Sequence, residues 1–343
     1  MVVFDLEAER FKRRRDRAGL AQERDYQSVQ AMPEIWPLAA ERYGDLVAMD
    51  DPHNQPSAQL TYRDLWAQIQ RFASGLQGLG MPAGAHVSLF ADNSHRWFIA
   101  DQGIMAAGGI DAVRSAQADS DELRYIAEHS DSTILIIENL KLWQRLSDRC
   151  RDLPIQFAVL LSDEPVPEQS PFKMVNYSQL LDVGQQRHWE PVSMASDHLA
   201  TLIYTSGTTG KPKGVMITHA NLLHQVKTLG AVVQPQPGDR VLGLLPTWHT
   251  FGRTAEYFLY SQGCTQTYTT IRHIKSDFKN SKPQYMVGVP RIWESIYEGA
   301  QKQFREQPAN KQKLVNALFW CSKKYVQNRR TANGLSLDHP QTS

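Results

Sequence analysis

Residues 205–214, TSGTTGKPKG, decide how this chain is read. Four hydroxyl side chains, three glycines and two lysines fall within ten residues. Ahead of them lies TLIYT (201–205) and behind them GVMIT (214–218), both short apolar runs of strand length. Glycine permits positive φ and lets a backbone approach a ligand with no Cβ in the way. Successive amides can then face one anion as a nest, with rotatable Ser and Thr hydroxyls adding donors and the lysines adding charge. Each hydrogen bond to a charged phosphate oxygen is worth about 1.5–3 kcal/mol, and a triphosphate collects several.

The stretch is not a Walker loop, which needs G-x-x-x-x-G-K-[ST]. Only two residues separate Gly207 from Gly210, and Pro212 follows Lys211. Proline removes a backbone donor and holds the preceding residue extended. The loop therefore cannot run straight into a helix, and a strand–turn–strand is expected. The dinucleotide fingerprint G-x-G-x-x-G is absent from the stretch as well.

Outward from this point, short apolar runs alternate with amphipathic ones. LTYRDLWAQIQRFASGLQGLG (60–80) carries Leu65, Ile69, Phe72, Leu76 and Leu79 at spacings of four and three. Thr61 and Asp64 open it as a capping box and Gly80 closes it. Strands are expected at 85–91, 109–113, 132–138, 155–161, 201–205, 214–218, 240–246, 264–270 and 284–290, with helices between. Asp119 and Thr218 are the caps of two of those helices. Residues 162–198 interrupt the alternation; within them SDEPVPEQSPF (162–172), rich in Pro, Ser and acid, reads as a surface connection. Such alternation implies an α/β fold, with parallel sheets covered by helices on both faces. The expected organisation is an extension over 1–30, a first α/β subdomain over 31–195, and a second over 196–343 that ends in a helical segment.

Composition sets limits on function. A chain of 343 residues with 41% apolar and 21% charged residues has enough apolar sequence for a packed core. A net charge of +1 argues against a nucleic-acid partner held by charge. Three scattered cysteines give neither a disulfide framework nor a metal spacing, which fits a reducing compartment. No apolar run approaches the length of a membrane span, and the N-terminus carries charge where a signal peptide needs apolar residues. A cytoplasmic location is expected. The basic cluster from Lys12 to Arg17 reads as a solvated helix end rather than a lipid-binding face.

YTSGTTGKPKGV (204–215) resembles the phosphate-binding signature of the adenylate-forming enzymes: acyl-CoA synthetases, luciferases and peptide-synthetase adenylation domains. LTYRDLWAQIQRFASGL, FIADQGIMAAGGIDAV and LLPTWHTFGR are similar to further segments of that family. VGVPRIWESIY is similar to its long-chain fatty acid branch, and within it to the acyl-carrier-protein synthetases of cyanobacteria and plastids. The resemblance implies the large N-terminal domain of such enzymes. It also implies ATP with Mg2+ as cofactors, a fatty acid as substrate, and a thiol of coenzyme A or acyl carrier protein as acceptor. A carboxylate attacks the α-phosphate, so two anions must meet and neutralising charge is the main demand.

By motif position, the resemblance assigns Thr205, Ser206, Gly207, Thr208, Thr209 and Gly210 to the β- and γ-phosphates. Thr205 is also the candidate for Mg2+, and Lys213 is the electrostatic partner of the phosphates. Lys211 stands at a variable position. His249, in the P-x-x-H segment, is implied beside the acyl pocket and the α-phosphate, flanked by Trp248 and Phe251. Arg253 stands where relatives carry a bulky gate residue, and Pro290, Arg291 and Trp293 are candidates for shaping the pocket. The adenine-binding strand, the Tyr-Gly-x-Thr-Glu segment, the ribose aspartate and the late lysine of the family are not found after Gly299. The expectation is the N-terminal part of a longer enzyme, or one half of a two-chain protein. Fatty-acid substrates make a peripheral membrane contact part of that expectation. The alternative is a non-catalytic nucleotide-binding fragment or remnant.

Overall fold

The structure, a computed structural model, describes residues 26–205 and 210–332. The basic cluster at 12–17 and residues 206–209 lie outside the described residues. The chain forms two compact units, one ending at Val287 and the other beginning at Gly288.

The first unit is built on two sheets. Strands β1 (Val47–Asp51) and β2 (Ala58–Thr61) form an antiparallel pair. The next seven strands make one sheet: β3 (His86–Phe90), β4 (Ile110–Arg114), β5 (Ile134–Ile137), β6 (Phe157–Leu160), β7 (Lys173–Asn176), β8 (Leu199–Thr205) and β9 (Lys213–Thr218). Their order is β7-β6-β5-β3-β4-β8-β9, parallel throughout except for the β8–β9 hairpin. Strands β10 (Arg240–Gly243), β11 (Thr265–Tyr268) and β12 (Tyr285–Met286) join the first pair in the order β12-β10-β11-β1-β2. Each sheet therefore draws strands from both sides of residue 195. The result is α/β, mixed and mostly parallel. The run ILII of β5 is buried at all four positions, as a strand covered on both faces must be.

Helices cover the sheets. Helix α1 (Ile35–Tyr43) and α2 (Tyr62–Gly78) meet one face, and α3 (His95–Ala106) is buried along its whole length. The capping box of α2 forms as the sequence predicts: Thr61 Oγ1 accepts from the Asp64 amide at 3.2 Å, and Asp64 accepts from the Thr61 amide at 3.2 Å. Helix α4 (Ser120–His129) is capped by Asp119, α5 (Leu140–Leu146) by Asn139. The core between these layers is aromatic. Trp36 meets Phe98 edge-on at 5.2 Å, and Phe98 meets Tyr260 at 4.7 Å. Such pairs add about 0.5–1.5 kcal/mol beyond area burial.

Residues 162–198 are not a plain connection. They contain β7 and α6 (Tyr177–Gln185), whose capping box is Asn176 with Gln179. Helix α6 packs hard on α2: a Cβ on Gly184 would stand 1.9 Å from the Arg71 carbonyl oxygen. This nine-residue helix follows the Pro/Ser/acid run; Tyr177 and Leu180 pack on α2 at Phe72 and Gly75, and the missing side chain at Gly184 lets the two helices come close.

The remaining helices of the first unit are α7 (His219–Thr228), α8 (Thr250–Ser261) and α9 (Ile274–Ser281). The second unit contains α10 (Pro290–Arg305) and α11 (Ala309–Ala332). Pro290 opens α10 at the first helical positions, where no amide partner is lost. Within this unit Phe304 packs edge-on against Phe319 at 5.7 Å. No helix among the described residues is long and apolar enough to cross a membrane.

Candidate functional site

Strand β8 runs parallel to β4, next to the edge strand β9 of the large sheet, and ends at Thr205. Its first six residues are half-buried or buried; Thr205 is exposed. The chain re-enters description at Gly210, with φ +102° and no atom within 4 Å of where its Cβ would be. It then turns into β9, where Lys213 pairs with Thr205 across the hairpin. The strand–turn–strand path that Pro212 predicts is therefore present. Thr205, Gly210 and Lys213 are exposed at one end of the hairpin. Lys211 is turned aside: its ammonium lies over the Tyr125 ring at 5.4 Å. Ser206, Gly207, Thr208 and Thr209 fall outside the described residues.

Because β3, β4, β5 and β8 are parallel, the segments that follow them emerge on the same edge of the sheet. The carboxyl edges of β1, β10 and β11 in the smaller sheet meet this region. A cavity of about 710 Å3 opens there. Asp92 and Asn93 after β3, Glu138 after β5, His53 after β1, Trp248 after β10 and His273 after β11 contribute to its lining. Ligands of open α/β sheets occupy the crevice outside the carboxyl ends of the strands.

Polar side chains in the cavity wall are hydrogen-bonded to other side chains and to backbone. Glu138 accepts from the Asp92 amide at 2.8 Å and from Asn139 at 2.9 Å. Burial raises its pKa above the usual carboxylate range, partly offset by the Asp92 amide. His53 Nε2 bonds Asp277 Oδ2 at 2.7 Å, Thr269 donates to the same oxygen at 2.6 Å, and the His53 and His273 rings stack at 4.0 Å. Sequence motifs pointed to none of these residues. The available signal was position: Asp92, Asn93 and Glu138 are polar residues directly after buried strands.

His249 precedes α8 at its N-cap, exposed, with its amide bonded to the Pro246 carbonyl at 3.2 Å. Partial desolvation and then the Arg114 charge lower its pKa, which favours the neutral imidazole. Trp248 lines the cavity, whereas Phe251 is 59% exposed. Arg291 and Trp293 are exposed on the second unit.

Arg253 is no gate. It is fully buried, one turn into α8. Its guanidinium donates to Asp101, to Asp111 Oδ2 at 2.7 Å, to Thr201 Oγ1 at 2.7 Å and to the Tyr257 hydroxyl at 2.7 Å. Burial raises the Asp111 pKa; Arg253 opposes this and Asp101 adds to it. Two carboxylates share one cation, so one of them tends to hold a proton. Farther along α8, burial pushes Glu256 up to about 8, and it accepts from Gln266 at 2.7 Å and from Tyr268.

The AMP-binding enzyme family profile matches residues 37–328. The chain belongs to the AMP-binding enzyme family. It is 39% identical to the chloroplastic long-chain-fatty-acid–acyl-carrier-protein ligase AEE15 of Arabidopsis thaliana over 326 residues, 91% of this chain and 45% of the relative. It is 25% identical over 287 residues to long chain acyl-CoA synthetase 1 of the same plant, 78% of this chain and 44% of the relative. The chain thus spans less than half the length of these curated relatives. Among solved structures, the adenylation domain of a carboxylate reductase from Mycobacterium chelonae superposes with a TM-score of 0.74 at 17% identity. That match covers 92% of this chain and 56% of the other. The N-terminal domain of FACL13 from Mycobacterium tuberculosis gives 0.65 at 21% identity, covering 77% and 64%. The family's adenylate-forming α/β architecture is therefore the fold of this chain.

Proposed function

We propose that this AMP-binding chain serves the ATP-dependent activation of a long-chain fatty acid to an acyl-adenylate. The acyl group then passes to a thiol of acyl carrier protein or coenzyme A. The observation that carries the reading is the β8–β9 hairpin end. Exposed Thr205 and Lys213 face one another beside an open Gly210, on the sheet edge from which the cavity also opens. Residues 205–210 and Lys213 hold the β- and γ-phosphates in this reading, and neutral His249 meets the reacting carboxylate. Magnesium rides in on the phosphates, with the Thr205 hydroxyl as one oxygen ligand.

The acyl-carrier-protein ligase and the acyl-CoA synthetase among the relatives support both thiol acceptors. Further family segments, on a longer chain or a second one, complete the nucleotide pocket in this proposal. A cytoplasmic enzyme touching membranes peripherally, where long-chain acids partition, belongs to it as well. Calorimetric titration with Mg·ATP tests the site. Thr208→Ala and Lys213→Ala each weaken binding by roughly tenfold or more; unchanged affinity in both removes the hairpin from the site. Palmitate-dependent exchange of pyrophosphate into ATP tests the chemistry, and binding without exchange marks a nucleotide-binding chain with no catalysis of its own.

A further inference from the structure

The segment 244–249 that carries Trp248 and His249 leaves the small sheet after β10 and has no regular structure of its own. Its hydrogen bonds reach across to the other sheet. Asn93, in the turn between β3 and α3, donates from Nδ2 to the Leu245 carbonyl at 2.7 Å. Its Oδ1 accepts from the Thr247 amide at 3.0 Å and from Thr247 Oγ1 at 3.1 Å. One side-chain amide thus satisfies both a donor and an acceptor of the loop backbone, the geometry a primary amide provides and few other side chains reproduce.

Asn93 is itself held. Asn54 Nδ2 donates to the Asn93 carbonyl at 3.2 Å and to Asp51 Oδ1 at 2.8 Å. Asp51 Oδ2 accepts from the His95 amide at 2.9 Å and from His95 Nδ1 at 2.7 Å. Asp51 ends β1 in the small sheet and is fully buried. Burial alone would raise its pKa, but the His95 and Asn54 hydrogen bonds outweigh that and lower it. A polar chain thus runs from β1 through Asp51, Asn54 and Asn93 to the loop before α8. On the far side, Arg253 donates its amide to the His249 carbonyl at 3.1 Å and locks α8 into the core.

We infer that Asn93 is a positioning residue for His249 and Trp248, fixing their loop at the junction of the two sheets. This rests on the proposed role of His249 beside the reacting carboxylate, and it adds a residue that acts through the backbone rather than by contact with substrate. Thr247, buried beside Asn93, is the second member of the clamp.

NMR on the chain tests it, with His249→Gln used to assign the His249 imidazole. In Asn93→Ala the Thr247 amide exchanges roughly tenfold faster or more, as expected for local opening. The His249 titration midpoint, held down by partial desolvation and by Arg114, rises toward that of a free histidine. Thr247→Val, which removes only the hydroxyl contact, gives smaller changes in the same direction and serves if Asn93→Ala does not fold. Amide exchange at Ile136, in β5 of the large sheet, stays unchanged in both. A folded variant with unchanged Thr247 exchange and His249 midpoint overturns the inference. So does an equal acceleration at Ile136, the mark of general loosening. If His249→Ala leaves palmitate-dependent exchange intact, the role of His249 falls while these spectroscopic changes stand.

Discussion

Residues 205–214 and 244–257 approach the same edge of the molecule by opposite means. The first is a hairpin end with Thr205, Gly210 and Lys213 exposed and no neighbour within 4 Å of a Cβ at Gly210. The second is tied on both sides, by Asn93 in front and by the Arg253 network behind. In the proposed function the first region draws hydrogen bonds from a nucleotide, whereas the second holds one imidazole and one indole at fixed places and is constrained in advance, because small misplacements of reacting groups are costly. Stability and ligand affinity should therefore respond to different residues in the two regions.

The largest expected effect lies in the buried network. Arg253→Met leaves Asp101 and Asp111 without their shared cation inside the core. Breaking such a buried pair costs about 3–5 kcal/mol. Urea unfolding of the variant should show this loss, and a loss below about 1 kcal/mol would mean that the carboxylates simply take up protons and the network is not essential. Because Arg253 meets β8 at Thr201, four residues before its exposed end at Thr205, any Mg·ATP affinity of the still-folded variant at low temperature should stay at the wild-type value.

The next effect is set by pH. His219, at the start of α7, is buried, and its Nδ1 accepts from the Met32 amide at 3.3 Å. Desolvation, with a smaller contribution from His198, lowers its pKa to about 4. The unfolded chain binds a proton near 6.5, so between those values the unfolded state holds more protons than the folded one. Stability from this group is complete above about 6.5 and is lost as pH falls toward about 4, by on the order of 3 kcal/mol in all. Unfolding free energies measured between pH 7 and 4 should fall more steeply for wild type than for His219→Gln, which carries no titrating ring. Parallel curves would show that the imidazole is not held neutral. Thr205 and Lys213 contribute nothing to this slope, which keeps the two regions distinct.

How far the sequence announces these features follows from what kind of signal each one leaves. The hairpin was legible because its function needs particular residue types in a row, and Pro212 alone excludes the helical alternative. Strands β3 to β6 were legible because both of their faces are buried and they read as continuous apolar runs. Strand β1, VAMDD, was not, since its acidic end serves the polar chain to His95 and Asn54 instead of the core. Helix α6 was hidden because its close approach to α2 depends on the absence of a side chain at Gly184. Arg253 stands where relatives carry a bulky gate residue, yet four buried partners on four different elements, Asp101, Asp111, Thr201 and Tyr257, make it a core residue. No local pattern records a partner that lies 152 positions away. The cavity is likewise assembled from segments after five different strands only once both sheets are in place, so sequence order could not outline it.

The smallest expected effects on stability belong to the hairpin, and they bear most directly on the contrast. Lys213→Ala removes an exposed ammonium that makes no ion pair among the described residues, so unfolding free energy should change by no more than about 0.5 kcal/mol. Gly210→Ala meets no atom but must hold an alanine at φ +102°, which costs about 1 kcal/mol or slightly more from backbone strain alone. A loss well above this in either variant, measured by urea titration in the absence of nucleotide, would mean that the hairpin end is packed rather than open. If both losses stay small while Mg·ATP stabilises wild type against urea and fails to stabilise Lys213→Ala, the hairpin's missing contacts are those the nucleotide supplies. Raising the salt concentration should shrink that difference, because an exposed ammonium acting on phosphate is screened by counter-ions.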